Sequence, residues 1–248
     1  MVEPGWLEAN WHAPRSVRAG TTTRLGGVST GAYASLNLGD HVADDPASVA
    51  SNRARLVAAL QLPSEPLWLR QVHGTRVVVH DGSHGFPEAD AAVAFEPGRV
   101  LAILTADCLP VVLASRDGAR LGVAHAGWRG LAAGVIETTI KTLGIPPSEL
   151  VAWLGPAIGA TAFEVGGEVR EAFVSHDADS AAAFTENARG RWQANLYSLA
   201  KRRLLLHGVT SVSSIEACTF IDTARFYSFR RHAVTGRMAT LAWVEPHS

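Results

Sequence analysis

Residues 105–130, TADCLPVVLASRDGARLGVAHAGWRG, constrain the fold more than any other stretch of the chain. Two apolar, β-branched runs flank Asp117 and Gly118, a dipeptide that favours the two-residue turn of a β-hairpin. This turn pairs residues whose numbers sum to 235, so Pro110 lies opposite His125. Cys108 then shares a face with His125, at a diagonal Cα distance of about 7 Å. The hairpin therefore predicts a thiol beside an imidazole, unless the register slips by one residue.

Other polar residues near the Cys108–His125 pair indicate a functional site rather than two core residues. A cysteine or histidine alone is more often a core residue, but here Asp107 precedes the cysteine, and His73 interrupts another strand in a Gln-Val-His-Gly break. One thiolate and two imidazoles, from Cys108, His73 and His125, suit a tetrahedral zinc ion with one open position. A single copper ion is an alternative, because such a site binds Cu²⁺ more tightly than Zn²⁺.

A site without metal is another interpretation of the same residues. His125 would then activate Cys108 as the nucleophile of a thiol hydrolase. In either case Arg129 and the helix N-terminus next to it favour an anion such as a carboxylate or a phosphate. Asp107 is a candidate base, or a hydrogen-bond partner for a ligating histidine.

The remaining patterns predict a mixed arrangement of strands and helices. A long shaped loop spans residues 17–40, and two strand pieces flank the bend at His73. The further predicted strands cover 100–104, 110–114, 120–124, 151–155, 212–220 and 238–245, and the predicted helices cover 45–62, 130–145, 166–177 and 194–208. This order predicts an α+β (mixed α/β) fold, a single layered catalytic domain over residues 1–248 with mixed β-sheets flanked by helices.

Charge and hydropathy restrict the partners. The 22 basic and 23 acidic residues leave a net charge of −1, so no field attracts nucleic acid or an anionic membrane. No apolar run approaches the roughly 18 residues of a membrane span, and the first twenty residues lack a signal-peptide pattern. With only two cysteines in 248 residues, we expect a cytoplasmic protein that acts on small molecules.

Four further residues have less specific surroundings. His80 and His84 are spaced like ligands but lie in a Gly/Ser-containing stretch, where we expect them to be solvated. Cys218 is expected in the core of a strand. Arg230 lies in the aromatic-rich loop over residues 226–237 and is a candidate substrate contact.

Several motifs, in order along the chain, resemble one bacterial family. They are GGVSTGAYASLNLGDHVADD, QVHG, ADA, TADCLPVVL, AHAGWRG, GPAIG, FEVG, ACTF and FYSFRRH followed by TGRMA. This order is similar to that of the family of multicopper polyphenol oxidases (laccase-like), whose members are described as purine nucleoside phosphorylases and, in one branch, as peptidoglycan editing factor. Two departures are His232, where the family usually has aspartate, and Ala194-Asn195-Leu196, where it has a Leu-Asp-Leu-like stretch.

The resemblance implies a metal-dependent site at His73, Cys108 and His125. It also implies phosphorolysis of adenosine, inosine and 5′-methylthioadenosine, with deamination of adenosine as a side activity. Purine nucleosides and phosphate are then the expected partners, and Arg24 and Asn37 of the long N-terminal loop are expected to line the pocket.

Two other activities associated with the family have different requirements. A multicopper laccase needs several His-X-His pairs for its copper cluster, and none of the ten histidines forms one. We therefore do not expect laccase activity. Hydrolytic editing of a peptidoglycan precursor, which removes a wrongly incorporated amino acid, stays an alternative.

Overall fold

Thirteen strands and five α-helices make up the regular structure of residues 3–83 and 85–246, the part of the chain that the computed structural model describes. The strands are β1 Trp6–Glu8, β2 Val17–Thr22, β3 Val77–Val79, β4 Ala91–Ala94, β5 Leu101–Thr105, β6 Leu109–Ser115, β7 Leu121–Ala126, β8 Leu150–Leu154, β9 Glu164–Val165, β10 Phe184–Glu186, β11 Trp192–Ala194, β12 Ser211–Ser214 and β13 Met238–Val244. The helices are α1 Pro46–Leu60, α2 Trp128–Ala133, α3 Val135–Leu143, α4 Gly167–Val174 and α5 Leu196–Leu206. Short 3₁₀ turns cover Gly31–Tyr33, Pro147–Glu149 and Ala178–Ala183.

The strands form three sheets. A six-stranded sheet has the order β12-β8-β6-β7-β4-β3, with parallel pairs at both edges and antiparallel pairs between them. A four-stranded sheet has the order β1-β2-β13-β5, and β10, β11 and β9 form a small third sheet. The mixed pairing confirms the predicted α+β fold of mixed sheets flanked by helices.

The two large sheets pack face to face, and helices cover their outer faces. Along β5, Leu101 and Ile103 pack against the six-stranded sheet, and Ala102 and Leu104 pack on the side of α1. This alternation is the period of two that a strand imposes. The far side of the six-stranded sheet packs against α2, α3 and α5. The result is a layered order of helix, sheet, sheet and helices, with the apolar core distributed over three interfaces.

The hairpin of β6 and β7 has the predicted register. Pro110 pairs with His125, and Leu109 pairs with Ala126. The predicted two-residue turn at Asp117-Gly118 is wrong: the Gly118 N–H donates to the Ser115 carbonyl oxygen at 2.9 Å, and the Ser115 N–H donates to the Arg120 carbonyl oxygen, so four residues, 116–119, form the loop while the register is kept. Since paired residues share a face, His125 points between the two large sheets, on the side where Cys108 begins the hairpin.

Helix α1 holds the long N-terminal loop in place. Asp45 caps the helix by accepting hydrogen bonds from the backbone N–H groups of Ala47 and Ser48. From the buried side of the helix, the Asn52 amide donates to Ser29 Oγ and to the Asn37 carbonyl oxygen. The loop is therefore fixed against α1 by a buried polar side chain.

The predicted helix over residues 130–145 is two helices. Gly134 has φ of 98°, a left-handed conformation, and it ends α2 and begins α3. The helical periodicity continues through the glycine, which is why the pattern did not indicate the break.

Other corrections concern segments without a full strand. The stretch before His73 makes only isolated bridges, and the strand predicted over 212–220 ends at Ser214, so Cys218 contributes a single bridge to Ala157.

His80 is buried rather than solvated, with 8% of its surface exposed. His84 lies outside the described residues. No helix in the described part of the chain is long and apolar enough to cross a membrane.

Candidate metal centre and active-site cavity

Three side chains from separate elements converge at one end of the space between the two large sheets. Cys108 directly precedes β6, His125 lies in β7, and His73 lies in the turn before β3. Their candidate ligand atoms all lie within 4.8 Å of one another, and Cys108 Sγ is 3.7 Å from His73 Nε2. The two imidazole rings meet edge to face, with centroids 4.7 Å apart. The structure thus brings the three predicted ligands together.

Asp90 holds two of these ligands through one buried carboxylate. Its Oδ1 lies 2.9 Å from His125 Nδ1 and accepts the His73 N–H at 2.8 Å. Its Oδ2 accepts the N–H groups of Val72 and Gly74. Because His125 Nδ1 is engaged, Nε2 of that ring is the atom available to a metal. The backbone of His73 has φ of 61°, an unfavourable conformation that these hydrogen bonds maintain.

Glycines let the start of α2 approach the donor atoms. A Cβ atom on Gly127 would lie 2.9 Å from both Cys108 Sγ and His73 Cδ2. A Cβ on Gly130 would lie 2.9 Å from the Gly74 carbonyl oxygen. The motif AHAGWRG therefore provides one ligand and two positions where only a hydrogen atom fits.

Cys108 and His125 influence each other's ionisation. Burial raises the pKa of Cys108, but the positive charge of His125 and the hydrogen bonds from His125 and His73 together outweigh burial and lower the pKa to about 6. Burial likewise disfavours charge on His125, and the Cys108 thiolate and Asp90 together raise the pKa of His125 to about 9. Without a metal ion, the pair is a thiolate and an imidazolium at neutral pH.

The donor types suit a tetrahedral zinc ion, and one of the three ligand separations matches the tetrahedral distance. Zinc–sulfur and zinc–nitrogen bonds of about 2.3 and 2.05 Å at a tetrahedral angle place the two ligand atoms about 3.6 Å apart. The separation of Cys108 Sγ and His73 Nε2 is 3.7 Å. Two imidazoles and one thiolate leave a fourth position, as in catalytic zinc sites, and the same donors also suit one copper ion.

A cavity of about 410 Å³ opens in front of the donor atoms. Its walls combine aromatic and cationic side chains, and Arg129, Arg230 and Arg237 each lie over an aromatic ring. The lining residues are His41, Gln71, His73, Leu104, Thr105, Ala106, Asp107, Cys108, His125, Trp128, Arg129, Ile158, Phe163, Phe229, Arg230 and Arg237. The volume lies in the range of about 300–1,000 Å³ that is common for small-molecule sites.

Of the four predicted substrate contacts, the structure places two in the cavity and two outside it. Arg129 and Arg230 line the cavity. Arg24 lines a different surface pocket, and its Nε donates to the Ala34 carbonyl oxygen. Asn37 is fully buried and bonds the backbone of its own loop at Gly39. The expectation that Arg24 and Asn37 line the cavity is therefore wrong, because α1 holds their loop away from it.

Asp107 lines the cavity but touches neither histidine ring. Its Oδ1 accepts the Thr219 hydroxyl, and its Oδ2 accepts the Ser228 hydroxyl and the Arg230 N–H. Its backbone φ of 99° turns the side chain into this position. Asp107 thus fastens the loop over residues 219–230, and the partner of the ligating histidine is Asp90 instead.

Three residues of the site were missed by sequence reasoning, although each lies in a quoted motif. Asp90 is the aspartate of ADA, Arg237 is the arginine of TGRMA, and Gln71 begins QVHG. Gln71 pairs with the backbone of Leu104 in both directions, with Nε2 donating to its carbonyl oxygen and Oε1 accepting its N–H.

The two departures from the family pattern do not line the cavity. His232 is exposed, and its N–H bonds to the Ser228 carbonyl oxygen. Asn195 caps α5 by accepting the Ser198 N–H. The Leu-Asp-Leu-like position thus retains a capping residue, since asparagine and aspartate are similarly good N-caps.

The fold and the site define an α+β protein with a Cys/His/His centre at the end of two packed sheets. The family model described as multi-copper polyphenol oxidoreductase laccase matches residues 18–245, and the chain belongs to this family. This confirms the resemblance that the motifs indicated.

Relatives and solved structures agree along nearly the whole chain. A purine nucleoside phosphorylase of Pseudomonas aeruginosa is 54% identical over 241 residues, which cover 97% of this chain and 98% of that protein. The purine nucleoside phosphorylase YfiH of Escherichia coli is 48% identical, covering 94% of this chain and 96% of that protein. A crystal structure of a Neisseria meningitidis protein superposes with a TM-score of 0.94 at 45% identity, covering 98% of this chain and all of that one.

Proposed function

We propose that this protein is a metal-dependent purine nucleoside phosphorylase that cleaves adenosine, inosine and 5′-methylthioadenosine, with deamination of adenosine as a second reaction. The observation that carries the proposal is the Cys/His/His donor set at the floor of a cavity of about 410 Å³. The names of the relatives support the reaction class.

The cavity walls suit the two parts of a nucleoside. Phe163, Phe229 and Ile158 supply apolar surface for a planar base. Arg129, Arg230 and Arg237 supply positive charge for phosphate. A substrate held between these walls places its glycosidic bond near the donor atoms, where base and phosphate must meet.

In phosphorolysis, a phosphate oxygen forms a bond to C1′ of the ribose while the bond from C1′ to N9 of the purine breaks. The base leaves with the electron pair and takes up the proton that hydrogen phosphate loses as its oxygen bonds to C1′. A divalent ion held by His73, Cys108 and His125 would supply a Lewis acid that stabilises the developing negative charge. Asp90 keeps His125 and the His73 turn in place during this step, since its four contacts fix both.

We further propose a single catalytic domain over residues 1–248 that works in the cytoplasm on small molecules and not on nucleic acid. Both cysteines are free, and a ligating thiolate at Cys108 requires a reducing compartment. The net charge of −1 supports the choice of small molecules as partners.

The test is incubation of metal-quantified protein with adenosine, in the presence and absence of phosphate. We expect adenine and ribose 1-phosphate only with phosphate, and inosine with ammonia in either case. Cys108→Ala should lose bound zinc or copper and at least 100-fold in rate, whereas Cys218→Ala should match the wild type. Unchanged adenosine, or equal rates for the wild type and Cys108→Ala, would contradict the proposal.

A further inference from the structure

The cavity contains more positive charge than its carboxylates balance. Arg129, Arg230 and Arg237 line it together with one carboxylate, Asp107. Both oxygens of Asp107 already accept hydrogen bonds from the neighbouring loop. The cavity therefore attracts an anion, and the question is which arginine binds it.

Two of the three arginines are exposed to solvent. Arg129 stacks on Trp128, with its guanidinium carbon 4.5 Å from the ring centroid. Arg230 stacks on Phe163 and donates to the Glu164 carbonyl oxygen. Exposed guanidinium groups are hydrated and screened by salt, so each contributes little to fixed anion recognition.

Arg237 is held differently. It is half-buried, and a Cβ atom on Gly39 would lie 2.8 Å from its Cγ, so its stem packs directly on that glycine. Its backbone N–H donates to Asn37 Oδ1, and its Nη1 donates to the carbonyl oxygens of Thr235 and Gly236. These contacts fix the guanidinium before any ligand arrives.

The other polar edge of this guanidinium has no protein acceptor. Among the described residues, Nε and Nη2 of Arg237 make no hydrogen bond, and none of the ion pairs includes Arg237. Half-buried N–H donors without an acceptor are unfavourable, and the planar fork of the guanidinium matches two phosphate oxygens.

The charge of Arg237 acts directly on the neighbouring site. Burial lowers the pKa of Arg237, and the negative charges of Cys108 and Asp107 oppose this. The same guanidinium, together with burial, lowers the pKa of His41 on the cavity wall. Arg237 therefore lies within electrostatic reach of the donor thiolate.

We propose that Arg237 forms the phosphate subsite of the cavity, with Nε and Nη2 as the donors to two phosphate oxygens. This inference rests on the proposed function for its role in phosphorolysis, but phosphate binding itself does not require turnover. A phosphate held there has a third oxygen free to attack C1′ of a nucleoside beside the donor triad. Arg129, the residue favoured by the sequence, is then an auxiliary surface charge.

The test compares Arg237→Met, which keeps an unbranched apolar stem on Gly39, with Arg225→Met as the matched control, because Arg225 is an exposed arginine of the same loop that does not line the cavity. Inorganic phosphate should raise the melting temperature of the wild type and of Arg225→Met, but not that of Arg237→Met. In phosphorolysis, we expect the KM for phosphate to rise about 10- to 100-fold in Arg237→Met. The KM for adenosine and the metal content should stay within about twofold of the wild type.

Arg237→Lys is a second variant in case the methionine variant does not fold. It keeps the charge but lacks the bidentate fork, so the KM for phosphate should still rise while the fold and the metal content are retained. A wild-type KM for phosphate and a wild-type melting shift in the Arg237 variants would overturn the proposal. Phosphate-dependent stabilisation that requires Arg237, in a protein that cleaves no nucleoside, would support this subsite and refute only the proposed function.

Discussion

The two walls of the cavity are built in contrasting ways. One wall comes from the six-stranded sheet and carries Cys108, His125 and the buried Asp90. The other comes from the loop over residues 219–237, which contains no strand or helix and exposes Phe229 and Arg230. Hydrogen bonds to one carboxylate fix the sheet wall, and those to another fasten the loop wall.

This difference separates chemistry from recognition. The donor atoms need fixed positions, and a sheet with a buried carboxylate provides them. Side chains that contact substrate can be replaced with little damage to the fold. Loops carry such side chains more readily because loop side chains are not part of the core. Changes to the sheet wall should therefore affect metal binding, and changes to the loop wall should affect the KM for substrate.

The largest effect is expected for Asp90→Ala. The change leaves three backbone N–H groups and His125 Nδ1 without their acceptor in a buried place. We expect the free energy of unfolding to fall by about 3–5 kcal/mol. Metal affinity, measured by competition with a chelator, should fall by about 10- to 100-fold.

Asp90→Asn is the companion variant, since it keeps one carbonyl oxygen and nearly the same volume. It should fall between the wild type and Asp90→Ala in both measurements. Wild-type metal affinity in a folded Asp90→Ala protein would show that the sheet wall does not depend on this carboxylate.

The next effect is expected for Gly127→Ala. The added Cβ would lie 2.9 Å from Cys108 Sγ and from His73 Cδ2, so the donor atoms must separate. We expect about tenfold weaker metal binding and a loss of activity in proportion. Gly167→Ala is the matched control, because a Cβ there meets no atom within 4 Å. Equal metal content in both variants at limiting zinc would contradict the close approach of α2.

The sheet wall and the loop wall also differ in how much of each could be predicted from the sequence. The hairpin register and the Cys108–His125 pair were predicted, because a turn dipeptide between two apolar runs specifies pairing locally. His73 was added from the QVHG break and from the family resemblance, not from the hairpin. Asp90 was not, since it contacts His125 only after β4 and β7 pair across 35 positions of sequence. The break at Gly134 was also missed, because the apolar period continues through it.

The side chains outside the hairpin were predicted less well for a physical reason. Arg24 and Asn37 of the long N-terminal loop were expected to line the cavity, but Asn52 of α1 binds that loop and Arg24 lines a different pocket. Arg237 was missed because its proposed role depends on Nε and Nη2, which have no acceptor among the described residues. No local sequence pattern indicates this. Side-chain environment, unlike strand register, is set by distant parts of the chain.

The smallest effect is expected for Asp107→Asn. Asparagine tolerates the φ of 99° and keeps one carbonyl oxygen, but its NH2 group cannot accept, so either the Thr219 hydroxyl or the Ser228 and Arg230 donors lose their acceptor. The loop wall should loosen while the donor triad stays intact. We expect the KM for adenosine to rise about three- to tenfold, and the free energy of unfolding to fall by about 1–3 kcal/mol.

Asp222→Asn is the control for this variant, because Asp222 pairs with Arg225 in the same loop without lining the cavity. It should leave the KM for adenosine unchanged. If Asp107→Asn instead lowers kcat 100-fold or more with an unchanged KM and a flattened pH profile, Asp107 acts as the base of the reaction. The sheet wall would then not be the only wall that carries the reaction, because Asp107, which fastens the loop, would also transfer the proton.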